Sequence, residues 1–307
     1  MAKIAYLFPG QGSQWVGMGR DVCQSQARGR EVFARADELL GFELSKVCFE
    51  GPEERLAATD ISQPAIFVTS VALAEVFRNE GRGRGREPQA AAGLSLGEYT
   101  ALWAAGSLSF EDGVRLTRKR GQAMQAAAQA HPSTMVSIMG LDEGQVKKIC
   151  ERASAAGIIS PANFNCPGQI VVSGEKEACA QALQLAEEAE GKAVELKVAG
   201  AFHSPLMASA ADGLARELAV TALGWPRIPV AANVTGGYHA EDAESIRSLL
   251  VRQLTSSVLW QKCMERLLAD GYDEFYEIGP GRVLKGLMRK IDRKVEVESV
   301  NDAATAG

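Results

Sequence analysis

Short apolar runs alternate with segments of helical periodicity along most of this chain, and that alternation predicts an α/β fold built on a parallel sheet. The first run ends at Tyr6-Leu7-Phe8, where Pro9-Gly10 and then Gly12 break it. Helical patterns follow over 29–40 and 64–78, the second carrying Ile66, Val68, Val71, Leu73, Val76 and Phe77. A Gly/Arg loop over 81–88 leads to a short strand over 90–93, a helix over 96–105 and a longer helix over 110–129.

The texture changes between 130 and 200. Strands over 134–139, 158–163, 169–173 and 193–198 are interrupted by helices over 142–156 and 175–190. That β-α-β-β-α-β order is the mark of a ferredoxin-like unit. Beyond Ser204 helices again alternate with single apolar runs, at 228–230, 274–278 and 295–300. The expected architecture is a large, discontinuous α/β-hydrolase-like domain over 1–130 and 200–307. A ferredoxin-like small domain over 131–199 is inserted into it.

With 307 residues, 46% of them apolar, the chain can build this core without disulfides or a structural metal. Its 33 basic and 38 acidic residues leave a net charge of −5, which argues against a nonspecific nucleic-acid binder. The six cysteines form no C-x-x-C pair, so no metal site is expected. The opening apolar run, Ile4 to Phe8, is too short for a signal peptide, and no apolar run reaches ~18 residues. A reduced, cytoplasmic protein without a membrane anchor is the expectation.

Gly93-Leu94-Ser95-Leu96-Gly97 fits G-x-S-x-G between a strand and a helix. A turn this sharp needs glycines, and it exposes the serine hydroxyl where helix N–H groups are unsatisfied. The competing assignment is an ordinary Ser95 N-cap, with Glu98 closing a capping box. A nucleophilic serine needs a base, and there are only three histidines. His131 precedes a proline in a loop, and His239 lies in Gly236-Gly237-Tyr238-His239-Ala240, a turn without apolar companions. His203, in Gly200-Ala201-Phe202-His203-Ser204, is left at an apolar strand-to-helix junction.

Phe8-Pro9-Gly10-Gln11-Gly12-Ser13-Gln14 follows the first strand. A dinucleotide loop would need glycine where Trp15 stands, so a rigid turn offering backbone N–H groups to an oxyanion is the better reading. On the helix after Phe110, Arg115 and Lys119 share one face, while Arg120 shares a stripe with Met124. Two readings of Arg120 stay open: a surface arginine snorkelling past apolar neighbours, or a bidentate clamp for a substrate carboxylate.

Taken in order, F-P-G-Q-G-S-Q at 8–14, G-L-S-L-G-E-Y-T-A-L at 93–102, R-G-Q-A-M-Q at 120–125, G-A-F-H-S at 200–204 and Gln253 resemble the malonyl-CoA:acyl carrier protein transacylases nearly end to end. The resemblance implies that Ser95 is the nucleophile and His203 its base. It implies an oxyanion hole from the backbone N–H groups of Gln11 and Leu96, and a malonyl carboxylate held by Arg120. Met124 and Phe202 would adjoin the substrate, and the main-chain carbonyl of Gln253 would orient the histidine in place of an acid.

The implied reaction is a two-step transfer from malonyl-CoA to the phosphopantetheine thiol of a holo-acyl carrier protein, in fatty acid or polyketide synthesis. Coenzyme A thioester is then a substrate, no cofactor is bound, and a monomer is expected. The cytoplasm is the expected location, or an organelle stroma or matrix after removal of a transit peptide. Leu94 stands where many members of the family carry histidine. Phe202 resembles the malonyl-specific pattern, and a methyl branch is typically discriminated by only ~1–3 kcal/mol. Basic groups for docking an acidic carrier are sought at Arg82, Arg84 and Arg86, or at Lys285, Arg289 and Lys290. The alternatives are a serine esterase or thioesterase using the same pair, and a non-catalytic carrier-binding subunit.

Overall fold

The computed structural model describes residues 2–307; Met1, the first residue of the expected large domain, lies outside the described residues. Its eight strands are β1 (Ile4–Phe8), β2 (Ala90–Gly93), β3 (Ser133–Met139), β4 (Ile159–Cys166), β5 (Gln169–Glu175), β6 (Lys192–Glu195), β7 (Glu274–Ile278) and β8 (Val297–Val300). They form two sheets, ordered β2-β1-β7-β8 and β4-β5-β3-β6.

The first sheet is wholly parallel, with Phe8 opposite Gly93 and Leu7 opposite Glu277. Both faces are covered, which is why β1 is a continuous apolar run rather than an alternating one. Tyr6, Phe8 and Ala91 face one core with Ile66, Phe67 and Phe77 of the helix Thr59–Asn79. Ala5, Leu7, Ala90 and Ala92 face the other, with Trp260, Met264 and Leu267 of the helix Trp260–Ala269 and with Leu284 and Met288.

The helix Thr59–Asn79 begins five residues before Pro64, where the apolar periodicity predicts its start. Pro64 has no N–H for the carbonyl of Asp60, which would break most helices. Here the Arg118 guanidinium donates to that carbonyl, and to Asp60 Oδ2 at 2.6 Å. The helix is long and apolar enough to cross a bilayer, yet 89% of its most apolar window is buried inside the protein. It is a core helix.

The run at 228–230 makes a single bridge, Val230 to Ala91, instead of a strand. Pro229 has no N–H, so only its carbonyl joins the ladder, accepting from Ala91. In the second sheet all pairings are antiparallel. The helices Glu143–Ala153 and Lys176–Glu188 share one apolar core with β3 and β5. The 142–156 helix stops at Ala153, continuing as a 3-10 turn to Gly157, whose φ of 146° ends it. Val258 ties the two sheets' layers together, accepting from Phe164 N–H at 2.9 Å and donating to the Ala162 carbonyl at 2.8 Å.

Candidate active site

The carboxyl ends of β1 and β2 lie side by side, and the chain leaves β2 through the turn that carries Ser95. A Cβ on Gly93 would sit 1.9 Å from the carbonyl carbon of Gly97, and one on Gly97 would sit 2.1 Å from the Phe8 oxygen. A Cβ on Gly10 would approach the Leu94 oxygen to 2.4 Å. Only glycine allows the elbow and the β1 loop to pack this closely. Ser95 itself has φ 52°, a left-handed conformation that turns its side chain out of the sheet.

Ser95 does not cap the helix Gly97–Ala104; the N-cap is Leu96, without a side-chain bond, and Glu98 turns inward and is fully buried. The N-cap assignment is thereby overturned. Ser95 Oγ lies 2.8 Å from His203 Nε2, and His203 Nδ1 lies 2.7 Å from the Gln253 carbonyl oxygen. A carbonyl only accepts, so Nδ1 carries the proton and Nε2 is free to accept from the serine hydroxyl. Burial, then the nearby Arg120 charge, push His203 down to about 4, against the opposing pull of the Gln253 carbonyl. The imidazole is therefore neutral at physiological pH, the form a base requires.

Arg120 is 1% exposed, which overturns the surface reading. Its Nη1 donates to Gln63 Oε1 at 2.7 Å, and its Nη2 donates to Gln253 Oε1 at 2.9 Å and to Ser95 Oγ at 3.1 Å. The guanidinium lies over the Tyr99 ring, 5.3 Å from its centroid. All of its hydrogen-bond partners are neutral. Met124, also buried, accepts from Gln63 Nε2 at 3.2 Å and so fixes the amide that holds Arg120. Phe202 is buried in the core beside His203.

The β1 loop is braced by its own side chains: Ser13 Oγ donates to the Gly10 carbonyl at 2.8 Å, and Gly12 N–H donates to Gln14 Oε1 at 2.8 Å. Among the described residues, the backbone N–H groups of Gln11 and Leu96 have no partner. Leu94 packs partly buried against the second apolar core, where it fills space beneath the turn.

Of four neighbours that hold the site, two went unread in the sequence, Gln63 and Asn233, and two were given other roles, Glu98 and His239. Asn233 accepts from Ser95 N–H at 2.7 Å and donates to the Gly93 carbonyl at 2.8 Å. His239, expected in a turn without apolar companions, is buried with its Nε2 2.6 Å from Glu98 Oε1. The only local signal was a polar Glu98 on a helix whose first six residues are all buried.

Of the basic candidates, Arg82 pairs with Glu298 at 3.7 Å and Arg86 with Glu274 at 2.9 Å. On the helix Val283–Ile291, Arg289 and Lys290 border a cleft with Arg293 and Pro167. Lys285 lies in a neighbouring cleft of mixed charge.

The acyl transferase domain family matches residues 5–307. A malonyl CoA-acyl carrier protein transacylase of Bacillus subtilis (strain 168) is 41% identical over 307 residues, covering 99% of this chain and 95% of the relative. That of Escherichia coli (strain K12) is 42% identical over 303 residues, covering 98% of this chain and 97% of the relative. Among solved structures, a type II PKS acyl-carrier protein in complex with its malonyl-transacylase aligns with a TM-score of 0.95 at 40% identity, covering 99% of this chain and 98% of that one. The malonyl CoA-acyl carrier protein transacylase from Clostridium perfringens aligns at 0.94 and 38%, covering 99% and 95%.

Proposed function

This chain belongs to the acyl transferase family, and from that premise we propose that it moves a malonyl group from malonyl-CoA to the phosphopantetheine thiol of a holo-acyl carrier protein, through a malonyl ester of Ser95. The observation that carries the mechanism is the unbroken chain from Ser95 Oγ through the His203 ring to the Gln253 carbonyl, with Arg120 3.1 Å from the same oxygen.

His203 Nε2 takes the hydroxyl proton as Ser95 Oγ attacks the thioester carbonyl. The free N–H groups of Gln11 and Leu96 receive the oxyanion. Collapse breaks the C–S bond, and the imidazolium returns the proton to the departing coenzyme A sulfur. The phosphopantetheine thiol then gives its proton to His203 and attacks the ester; collapse releases Ser95, which recovers the proton. Arg120 holds the malonyl carboxylate with a charge-assisted pair worth ~1.5–3 kcal/mol. Met124 steadies Arg120 through Gln63, and Phe202 crowds the acyl α-carbon.

Residues 131–199 form a ferredoxin-like insertion in a hydrolase-like domain over 1–130 and 200–307, a reading supported by the β4-β5-β3-β6 order of the antiparallel sheet. Carrier docking draws on Lys285, Arg289 and Lys290, and the working form is a cytoplasmic monomer. The test is intact-mass analysis with malonyl-, methylmalonyl- and acetyl-CoA, followed by holo-carrier. A malonyl adduct stable in water and discharged by the carrier thiol supports transfer; rapid discharge by water alone supports the esterase or thioesterase reading.

A further inference from the structure

Both halves of the reacting pair lead back to one buried carboxylate. Glu98 Oε2 accepts from Gln253 Nε2 at 2.7 Å and from Asn233 N–H at 3.2 Å, while Oε1 faces His239 Nε2 at 2.6 Å. Asn233 clamps the Ser95 backbone N–H, and Gln253 Nε2 also donates to the Ser95 carbonyl at 3.1 Å. Gln253 is the last residue of the helix Ala243–Gln253, and its main-chain oxygen is the acceptor for His203. That carbonyl sits at the negative end of a helix, where it has no partner within the helix.

We propose that Glu98, backed by His239, is a positioning residue for the Ser95–His203 pair, acting on His203 through Gln253 as the acid of a displaced triad. The inference rests on the reading of Ser95 and His203 as the reacting groups. Gln253 is the relay: its side chain is held by Glu98 and by Arg120, and its carbonyl fixes the imidazole.

Charge supports the same assignment. His203 turns into an imidazolium beside the Arg120 cation, which disfavours that form, while the carbonyl of Gln253, whose side chain Glu98 holds, favours it. The titratable or charged groups facing Glu98 are His239, Arg120, Tyr99 and Cys263; those facing His203 are Arg120 and Ser95. Burial raises Tyr99 to about 12 and pushes the Cys263 thiol up, so both stay neutral. His239 Nδ1 has no partner among the described residues, so Glu98 is the imidazole's one side-chain anchor.

The test is the pH profile of Glu98→Gln, which keeps the shape and removes the charge, beside His239→Leu, which keeps the carboxylate and removes its donor. For Glu98→Gln the expected result is a kcat lower by up to ~100-fold. The KM for malonyl-CoA should stay within about threefold, because the loss falls on the transition state. The acid limb of kcat/KM moves to lower pH, since a Gln253 carbonyl held less firmly favours the imidazolium less. In His239→Leu the limb moves the same way by a smaller amount, because Glu98 loses the donor that braces it and holds Gln253 less firmly. His239→Gln, which keeps an N–H donor, restores most of the rate.

Limbs unmoved in both variants would overturn the proposal, whatever happens to the rate, since a purely structural pair lowers activity without moving them. If Glu98→Gln does not fold, the His239→Leu limb decides alone. Ser95→Ala is run in parallel: a malonyl adduct there sinks the underlying reading, whereas no adduct there with unmoved limbs sinks only this inference.

Discussion

Ser95 and His203 meet at 2.8 Å with both backbones in the left-handed region, at φ 52° and 58°. Among the described residues only Glu190 is a further non-glycine at positive φ. Such conformations typically cost ~1–3 kcal/mol each and persist where the surroundings over-determine them. Those surroundings are visible: Ser95 is held through its N–H by Asn233 and through its carbonyl by Gln253. Ser204 Oγ, donating to the Ala201 carbonyl at 2.7 Å, pins the His203 turn.

Gly93→Ala tests the elbow. Its new Cβ would meet the Gly97 carbonyl carbon at 1.9 Å, backbone against backbone, with no side chain able to yield. Overpacking of this kind costs typically 1–3 kcal/mol and here about 3 or more. The denaturant midpoint should fall, and malonyl transfer should be lost even in the folded fraction. A wild-type midpoint with full activity would refute the close approach.

Arg120→Ala separates recognition from chemistry. Losing a charge-assisted pair of ~1.5–3 kcal/mol should cut the malonyl-to-acetyl preference by about 10–150-fold. Competition between the two thioesters, read by intact mass, measures this directly. An unchanged ratio in a folded variant would remove Arg120 from carboxylate binding.

The pH dependence follows from His203. With its pKa held near 4, kcat/KM for malonyl-CoA should remain on its plateau well below 6.5. Once the malonyl carboxylate neutralises Arg120, one cause of that depression is removed, so the acid limb of carrier transfer should lie at higher pH. Stability runs in the same direction. Unfolding frees the imidazole to bind a proton near 6.5, so the unfolded chain holds more protons between about 4 and 6.5. The contribution is complete above 6.5 and is lost as pH falls towards 4. Denaturation midpoints for wild type and His203→Ala over that window provide the check.

Some of this was legible residue by residue, for physical reasons. The Ser95 turn and the His203 junction are set by glycines and apolar neighbours a few positions away, so local punctuation carried them. The strand pattern was readable because β1 and β7 are buried on both faces. What stayed hidden depends on contacts distant in the chain. Nothing near His239 announces that Glu98, 141 residues earlier, will receive it, or that Gln63, 57 residues before Arg120, will hold the guanidinium. The early start of the helix Thr59–Asn79 was equally unreadable, because the donor replacing Pro64's missing N–H is Arg118, on another helix.

The central claim is covalent, and intact-mass analysis after mixing with malonyl-CoA tests it most directly. The wild type should gain one malonyl group, keep it in water and lose it on addition of holo-carrier protein. Ser95→Ala should gain none while unfolding at the same midpoint. A malonyl adduct surviving in that variant would contradict the account.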